Sequence, residues 1–386
     1  MPAPLIRNPL KVASLFSGIG GFEIGLARAG HKTVMFCEID PAACAVLSAK
    51  FPGVEIHNDI RTLKSLPRNV QLVTSGFPCQ DLTPVGRTAG ALGDNSALVF
   101  EAFRLVEKAR PDFVLLENVP FMLRLDRGAA IDIIVSELEF LGYKWAYRII
   151  DVAAFGIPQR RPRVFVLGSR TVDPRTVLLA GDRKSRSGEE KRTQTGHGFY
   201  WTEGNRGIGW GNGCIPALKG GSSIGIPSSP AVILSSGEIV TPHICDAERL
   251  QGFPRHWTAP AAKTSKPSVR WRLLGNAVNV RIASWIGERL RKSVEYDPPD
   301  DDALLRDHDS WPNAAYNVGE GRYKTASDSF PVRYKTASIN EFLKFRGKTL
   351  SARATAGVLL RIEESSLRAP KILLDSLRNQ LARTRS

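Results

Sequence analysis

Cysteine is scarce in this chain, with five in 386 residues, at positions 37, 44, 79, 214 and 245. The number is odd and none of them forms a CxxC pair, so neither a disulfide framework nor a structural zinc site is expected. A reducing, intracellular compartment suits such a chain. Long apolar runs are missing too. No stretch reaches the length a bilayer requires. Met1-Pro2-Ala3-Pro4 lacks the charged start and apolar core of a signal peptide. No helix pattern sets Lys and Arg against a strongly apolar face, which argues against a membrane surface as partner. Negative charge is in short supply, with 38 Asp and Glu against 53 Lys and Arg, a net charge of +15. That surplus favours a polyanionic partner, and nucleic acid ahead of mere basicity.

What is present reads as an α/β protein. Apolar runs at Val12–Phe16, Thr33–Cys37, Leu72–Ser75, Phe113–Leu116, Trp145–Ile150 and Val164–Leu167 predict strands. Between them lie helical patterns such as Phe22–Arg28, closed by Gly30, and Ala130–Leu141, closed by Gly142. Alternation of this kind predicts a doubly wound, mostly parallel sheet with ligands at the carboxyl ends of its strands. Residues 1–168 form the first part of this domain. From 169 to 240 the chain turns rich in Gly, Ser, Lys, Arg and Pro, which predicts a smaller, irregular second domain. Residues 241–293 return to the first domain, with helices at Asp246–Gln251 and Val280–Lys292. Asp297–Asp302 is an acidic, proline-containing break. Residues 294–386 form an extension of unknown role, containing the repeat RYKTAS at 322–327 and 333–338. A phosphate-binding turn and a solvated loop are both open for that repeat, the loop being the simpler.

Four segments carry chemistry. Phe16-Ser17-Gly18-Ile19-Gly20-Gly21 lies between the first strand and the first helix, where glycines allow a tight turn and close backbone approach. Glu38 follows Gly18 by 20 residues, at the end of the next strand, where an acid commonly holds ribose hydroxyls. Glycines alone serve packing as readily as binding. With Glu38 they point to a nucleoside-containing cofactor, and Asp59-Ile60 stands where adenine would be read. Gly76-Phe77-Pro78-Cys79-Gln80 sets a cysteine in a loop at the same sheet edge, a position suited to a thiolate nucleophile. Asp81 to Asn95, with Gly86, Gly90 and Gly93, reads as a mobile loop. Glu117-Asn118-Val119 places a carboxyl at the end of a buried strand, as a proton donor or merely as a capping or paired residue. In Gln159-Arg160-Arg161-Pro162-Arg163 alternate residues share one side of an extended segment, so Arg161 and Arg163 are expected to face the site together. Taken by itself, that charge run reads as a solvated face.

In this order and spacing the segments resemble the DNA (cytosine-5) methyltransferase family of bacterial restriction–modification type, over residues 11–292. Arg249-Leu250-Gln251-Gly252-Phe253-Pro254 and Gly275-Asn276-Ala277-Val278 are similar to the family's last two motifs. The resemblance implies a Rossmann-like S-adenosylmethionine-dependent fold with a separate target-recognition domain. It also implies that the C-terminal helix packs back beside the first strand. Phe16, Ser17, Gly18, Gly20 and Gly21 would cradle S-adenosylmethionine, and Glu38 would take its ribose. Asp59 and Ile60 would contact the adenine, with Pro78, Leu98, Asn276 and Val278 completing the pocket. Cys79 would be the nucleophile, with Glu117, Arg161 and Arg163 holding the flipped cytosine. Gln80, Val85 and Arg87 would fill the gap in the duplex. The reaction yields S-adenosylhomocysteine and needs no metal. The resemblance implies double-stranded DNA as the partner and leaves a cognate restriction endonuclease open, and the enzyme is expected to be a cytoplasmic bacterial monomer. Three positions depart from the family pattern: Asp246 for the usual Glu, Leu273 for the frequent Gln, and Ala217-Leu218 where Thr-Leu is common. Rivals are a tRNA methyltransferase on the same core, a silent DNA-binding regulator, and an unrelated nucleotide-dependent oxidoreductase. The long basic variable region disfavours the first, the intact motif residues the second, and PCQ with ENV the third.

Overall fold

A sheet buried on both faces needs near-continuous apolar strands, and those runs form one here. The computed structural model describes residues 8–78, 96–181, 196–203, 207–221, 229–299, 302–306 and 309–385. They group into two units, and elements are numbered in chain order across both. Unit 1 comprises Met1–Asp151, Pro162–Arg183 and Val278–Val332. Its strands are β1 (Lys11–Leu15), β2 (Lys32–Cys37), β3 (Glu55–His57), β4 (Leu72–Ser75), β5 (Phe113–Asn118), β6 (Lys144–Asp151) and β8 (Pro162–Ser169), joined by β14 (Ala303–Leu304), β15 (Ala314–Asn317) and β16 (Arg322–Lys324). Its helices are α1 (Gly21–Arg28), α2 (Pro41–Lys50), α3 (Ser96–Ala109), α4 (Ala129–Phe140), α5 (Arg175–Leu178) and α8 (Val280–Arg291).

The sheet order is β14-β16-β15-β6-β8-β5-β4-β1-β2-β3. From β3 to β5 all pairs are parallel. From β5 outward through β8, β6, β15 and β16 they are antiparallel. The doubly wound parallel core is thus present and continues into an antiparallel wing. Strand order reverses between β1 and β4, which marks the ligand crevice at their carboxyl ends. Helix α8 returns to the first helix of unit 1. It packs on α1 so closely that a Cβ at Gly25 would lie 2.5 Å from Ala283 Cβ, and one at Gly21 would lie 2.3 Å from the Val278 carbonyl. Both glycines are there for close approach.

Unit 2 comprises Val152–Arg161, Lys184–Ala277 and Arg333–Ser386. A sheet of order β10-β9-β12-β13-β17 is built from β9 (His197–Phe199), β10 (Gly211–Asn212), β12 (Ala231–Ile233), β13 (Ile239–Thr241) and β17 (Lys348–Thr349). A two-strand ladder pairs β7 (Gln159–Arg160) with β11 (Ile215–Pro216). The helices are α6 (Ile244–Leu250), α7 (Val269–Asn276), α9 (Ile339–Phe342), α10 (Ala352–Glu363) and α11 (Lys371–Arg385).

This division runs differently from the expected segmentation: residues 241–277 group with residues 184–240 in unit 2, and the 294–386 extension is divided between both units. Burial explains the split. Strand β15 pairs with β6 and so covers an open sheet edge. The rest of the extension supplies half a core, as Leu350, Val358, Ile362, Leu373 and Leu377 close over Phe199, Ile233 and Ile239. Gln380 stitches this layer, accepting from the Ile239 N–H at 2.7 Å and donating to the Leu350 carbonyl at 2.9 Å. The two RYKTAS copies part company as well. In the first, Arg322 is ion-paired to Asp132 at 2.6 Å and to Glu139 at 2.7 Å. In the second, Tyr334 meets Phe155 edge-on and Ser338 caps α9.

Candidate active site

The turn after β1 is shaped by three residues with positive φ: Phe16 at 52°, Gly18 at 55° and Gly20 at 81°. Gly20 caps α1 in the left-handed region, where glycine is the unstrained choice. Buried Ser17 fixes the turn to both neighbouring strands, its one hydroxyl proton lying within reach of the Ser14 carbonyl at 3.1 Å and the Cys37 carbonyl at 3.2 Å. The Glu38 carboxylate then accepts from the Gly18 N–H at 2.6 Å and the Asp40 N–H at 2.8 Å. Burial raises its pKa, and those two N–H groups oppose the rise. Each oxygen keeps lone-pair capacity for a further donor. A Cβ on Gly18 would meet nothing within 4 Å, so the turn faces open space beside this carboxylate. Ile39, next to Glu38, is 65% exposed, a large apolar side chain standing at that rim. The donor set and the open turn fit a nucleoside with free ribose hydroxyls and a flat base.

A second cluster forms at the ends of β4 and β5. A methyl group on Gly76 would lie 3.8 Å from both Glu117 Oε2 and the Phe16 carbonyl, and 4.0 Å from Val278 Cγ2. Four of the expected segments therefore meet at one point. Glu117 is buried, and Arg163 Nε lies 3.2 Å from its Oε1. Burial pulls the Arg163 pKa down, while Glu117 and Asp151 hold it up. Asn118, also buried, donates to the Phe77 carbonyl at 3.1 Å and accepts from the Val119 N–H at 2.8 Å. It thereby fixes the turn that runs through exposed Pro78. Cys79, Gln80, Val85 and Arg87 lie outside the described residues.

Other expected site residues fall less simply. Asp59 is engaged by Arg61 in a two-pronged pair, with Nη2 to Oδ2 at 2.8 Å and Nε to Oδ1 at 3.0 Å. Those bonds lower its pKa. Ile60 is buried, and half-buried Leu98 packs on the unit 1 core. Asn276 is exposed in unit 2, against Gly220. Neighbouring Gly275 has no room for a side chain, since its Cβ would lie 2.0 Å from the Lys219 carbonyl carbon.

Arg161, expected to face the site together with Arg163, is 2% exposed within unit 2 and donates to the carbonyls of Leu218 at 2.6 Å and of Gly275 and Ala277 at 2.8 Å each. Arg161 lies outside both β7 and β8, so strict strand alternation did not hold across it. Its role is to tie the ends of the unit 2 loops. Gln159 does likewise, donating to the Leu250 carbonyl and accepting from the Leu218 N–H. Leu218 belongs to the Ala217-Leu218 pair, so the departure from Thr-Leu leaves that tie in place. Asp246, the other departure, is fully buried and accepts from Arg249 and from the Lys344 and Phe345 N–H groups.

Sequence reasoning missed Ile39, Asn118 and Glu23. Asn118 was inside a recognised motif, and Ile39 adjoined a recognised acid. Glu23 had no signal except its place in the first turn of α1. Among the described residues, no group of three or more His, Cys, Asp or Glu is placed to hold a metal ion. No helix among them is long and apolar enough to cross a membrane.

Residues 10–197 match the model of the C-5 cytosine-specific DNA methylase family. The Bacillus subtilis type II methyltransferase M2.BsuMI is 46% identical over 91% of this chain and 93% of its own length. The type II methyltransferase M.DsaV of Dactylococcopsis salina is 28% identical over 75% of this chain and 88% of its own. Among solved structures, the S. pombe Dnmt2 methyltransferase superposes with a TM-score of 0.53 at 20% identity, covering 73% of this chain and 98% of that one. At that identity the likeness is one of fold.

Proposed function

The chain belongs to the C-5 cytosine-specific DNA methylase family and is a DNA (cytosine-5) methyltransferase; from that premise we propose that it methylates C5 of a cytosine flipped out of a short duplex sequence, through a covalent bond from Cys79 to C6. The observation that carries this reading is the pairing of buried Glu117 with half-buried Arg163, at 3.2 Å, beside the turn that leads into Cys79. A cytosine ring presents N3 and O2 side by side. A carboxyl group paired with a guanidinium matches that edge, with Glu117 to N3 and Arg163 to O2. Extruding the base costs a few kcal/mol.

The Cys79 thiolate adds to C6, and charge builds on N3 and O2. Glu117 in its acid form donates to N3, and Arg163 stabilises O2. C5 is thereby made nucleophilic. S-adenosylmethionine, the family's methyl donor, supplies an electrophilic methyl group when bound. Glu38 would hold its ribose, the Phe16–Gly21 turn its amino-acid end, and Ile39, Phe16, Asp59 and Ile60 its adenine. A base then removes the C5 proton and elimination frees Cys79. Unit 2 would read the target, with basic residues on phosphates and other side chains on base edges. A cognate restriction endonuclease and the bacterial cytoplasm fit the type II relatives.

Bisulfite sequencing of plasmid from a host expressing the chain tests this. One cytosine of a short motif should be protected, and Cys79→Ala should abolish the protection. Duplex containing 5-fluorocytosine should trap an adduct at Cys79. Protection undiminished in Cys79→Ala would sink the covalent mechanism.

A further inference from the structure

Charge is divided unevenly between the units. Unit 1 holds 27 Lys and Arg against 28 Asp and Glu, whereas unit 2 holds 26 against 10. The entire surplus therefore belongs to unit 2. Its C-terminal segment, Arg333–Ser386, contributes 12 basic residues against 4 acidic ones, and lies beyond the residues 10–197 that match the family model.

Within that segment Lys344, Arg346 and Lys348 occupy alternate positions, and all three are exposed. The intervening residues face inward. Phe345 stacks on His243 with ring centres 5.4 Å apart, and a Cβ on Gly347 would sit 2.9 Å from the Thr241 carbonyl. Lys348 pairs with Thr241 in the β13–β17 ladder. At the other end the backbone is clamped by fully buried Asp246, which accepts from the Lys344 N–H at 3.1 Å and the Phe345 N–H at 3.0 Å. The chain bends at Phe345, and from Arg346 into β17 an extended run would space alternate residues about 6.6 Å apart, two steps of ~3.3 Å. That is comparable with the distance between successive phosphates of one DNA strand. None of the three cations is within salt-bridge distance of a described carboxylate. Glu341, whose field reaches Lys344, has its Oε2 engaged by the Ser338 N–H and hydroxyl at 2.9 Å each.

We propose that Lys344, Arg346 and Lys348 form a rigid row that binds successive phosphates of the duplex around the target cytosine, whatever its base sequence. The proposal rests on the DNA substrate assigned above. A backbone clamped by Asp246 and Thr241 presents its charges with little ordering cost, which favours a binding role over a merely solvated face. The competing role is edge protection, since lysine on an edge strand such as β17 discourages strand addition by another chain.

The triple variant Lys344→Gln, Arg346→Gln, Lys348→Gln in the full chain separates these roles. Binding to a short fluorescent duplex of plasmid sequence is measured across a salt series. The slope of log Kd against log salt should fall by about 2 to 3, roughly one unit for each phosphate no longer neutralised. The methylated motif should stay the same, since phosphate contacts carry no sequence information. Thermal unfolding should match the wild type, and Lys344→Arg with Lys348→Arg should keep the wild-type slope. An unchanged slope with normal plasmid methylation would overturn the row alone. Self-association of the triple variant at unchanged slope would do so too, and would assign the row to edge protection. A wild-type chain that methylates no plasmid DNA would overturn the underlying reading and the row with it.

Discussion

Thr74 donates its hydroxyl to Glu23 Oε1 at 3.0 Å, joining the first turn of α1 to β4 inside the protein. Glu23 is 1% exposed, and its Oε2 has no hydrogen-bond partner among the described residues. Burial raises its pKa from 4.5 to about 7, with bonds from Ser14, its own backbone and Thr74 opposing the rise. The folded state therefore holds a proton that the unfolded chain gives up. The sign follows from linkage: this group favours folding fully below pH 4.5, and the benefit is lost as pH climbs through about 7. Glu23→Gln removes the titration while keeping an acceptor for Thr74. Its stability should gain on the wild type as pH rises across that window, by roughly 3 kcal/mol at most. Urea melts of both proteins at several pH values measure the difference. A constant difference across the window would mean that Glu23 is ionised in the folded state.

Glu38 links two backbone N–H groups and, in the proposed function, a ribose. Glu38→Ala should weaken binding of S-adenosylhomocysteine by about 10- to 100-fold, the 1.5–3 kcal/mol of a hydrogen bond to a charged group. Calorimetric titration gives the affinity, and turnover at saturating cofactor should suffer less. Glu38→Gln, which keeps the shape and one acceptor, should fall between the two. Equal affinities in all three proteins would remove Glu38 from the cofactor site.

In the proposed function Asn118 acts one step from the chemistry, through the Phe77 carbonyl to which it donates. Asn118→Ala should cost about 1 kcal/mol of stability and loosen the turn before Cys79. The expected outcome is a lower kcat with cofactor affinity spared, which steady-state kinetics and calorimetry resolve together. A loss of cofactor affinity with kcat intact would place Asn118 in the wrong half of the site.

The six expected strands of unit 1 all appear, because each is an apolar run and all but the start of β2 are largely buried. Such runs announce themselves locally. Strand β3, at Glu55–His57, was not foreseen, since three half-exposed residues carry no periodicity. The same holds for β14 to β16, whose identity as strands comes from the sheet edge at β6, which β15 covers and β16 and β14 extend. The turn after β1 and its contact with Glu38 were legible through glycine placement and spacing. The partners of Asp246 were not, because Lys344 and Phe345 stand almost a hundred residues further along the chain. Arg161 shows the limit most plainly. Its side chain answers to carbonyls at 218, 275 and 277, and no local pattern reports them.

Arg161 and Arg163 stand two residues apart yet should fail in opposite ways. Arg163 meets Glu117, and Arg161 holds three carbonyls of unit 2. Arg163→Lys keeps a charge but loses the planar fork, so it should leave stability within about 1 kcal/mol. Its methyl transfer should fall by 10- to 100-fold or more, on the order of 1.5–3 kcal/mol of lost charge-assisted bonding. Arg161→Lys cannot reach three carbonyls at once. It should destabilise the chain by about 2 to 4 kcal/mol, through buried acceptors left unpaired. The residual folded fraction should methylate at a near-normal rate. Melting temperature and single-turnover rate, measured on both variants below the lower melting point, give the comparison. If Arg161→Lys melted like the wild type and lost its rate, Arg161 would belong with the reacting base after all, and the carbonyl ties would be incidental.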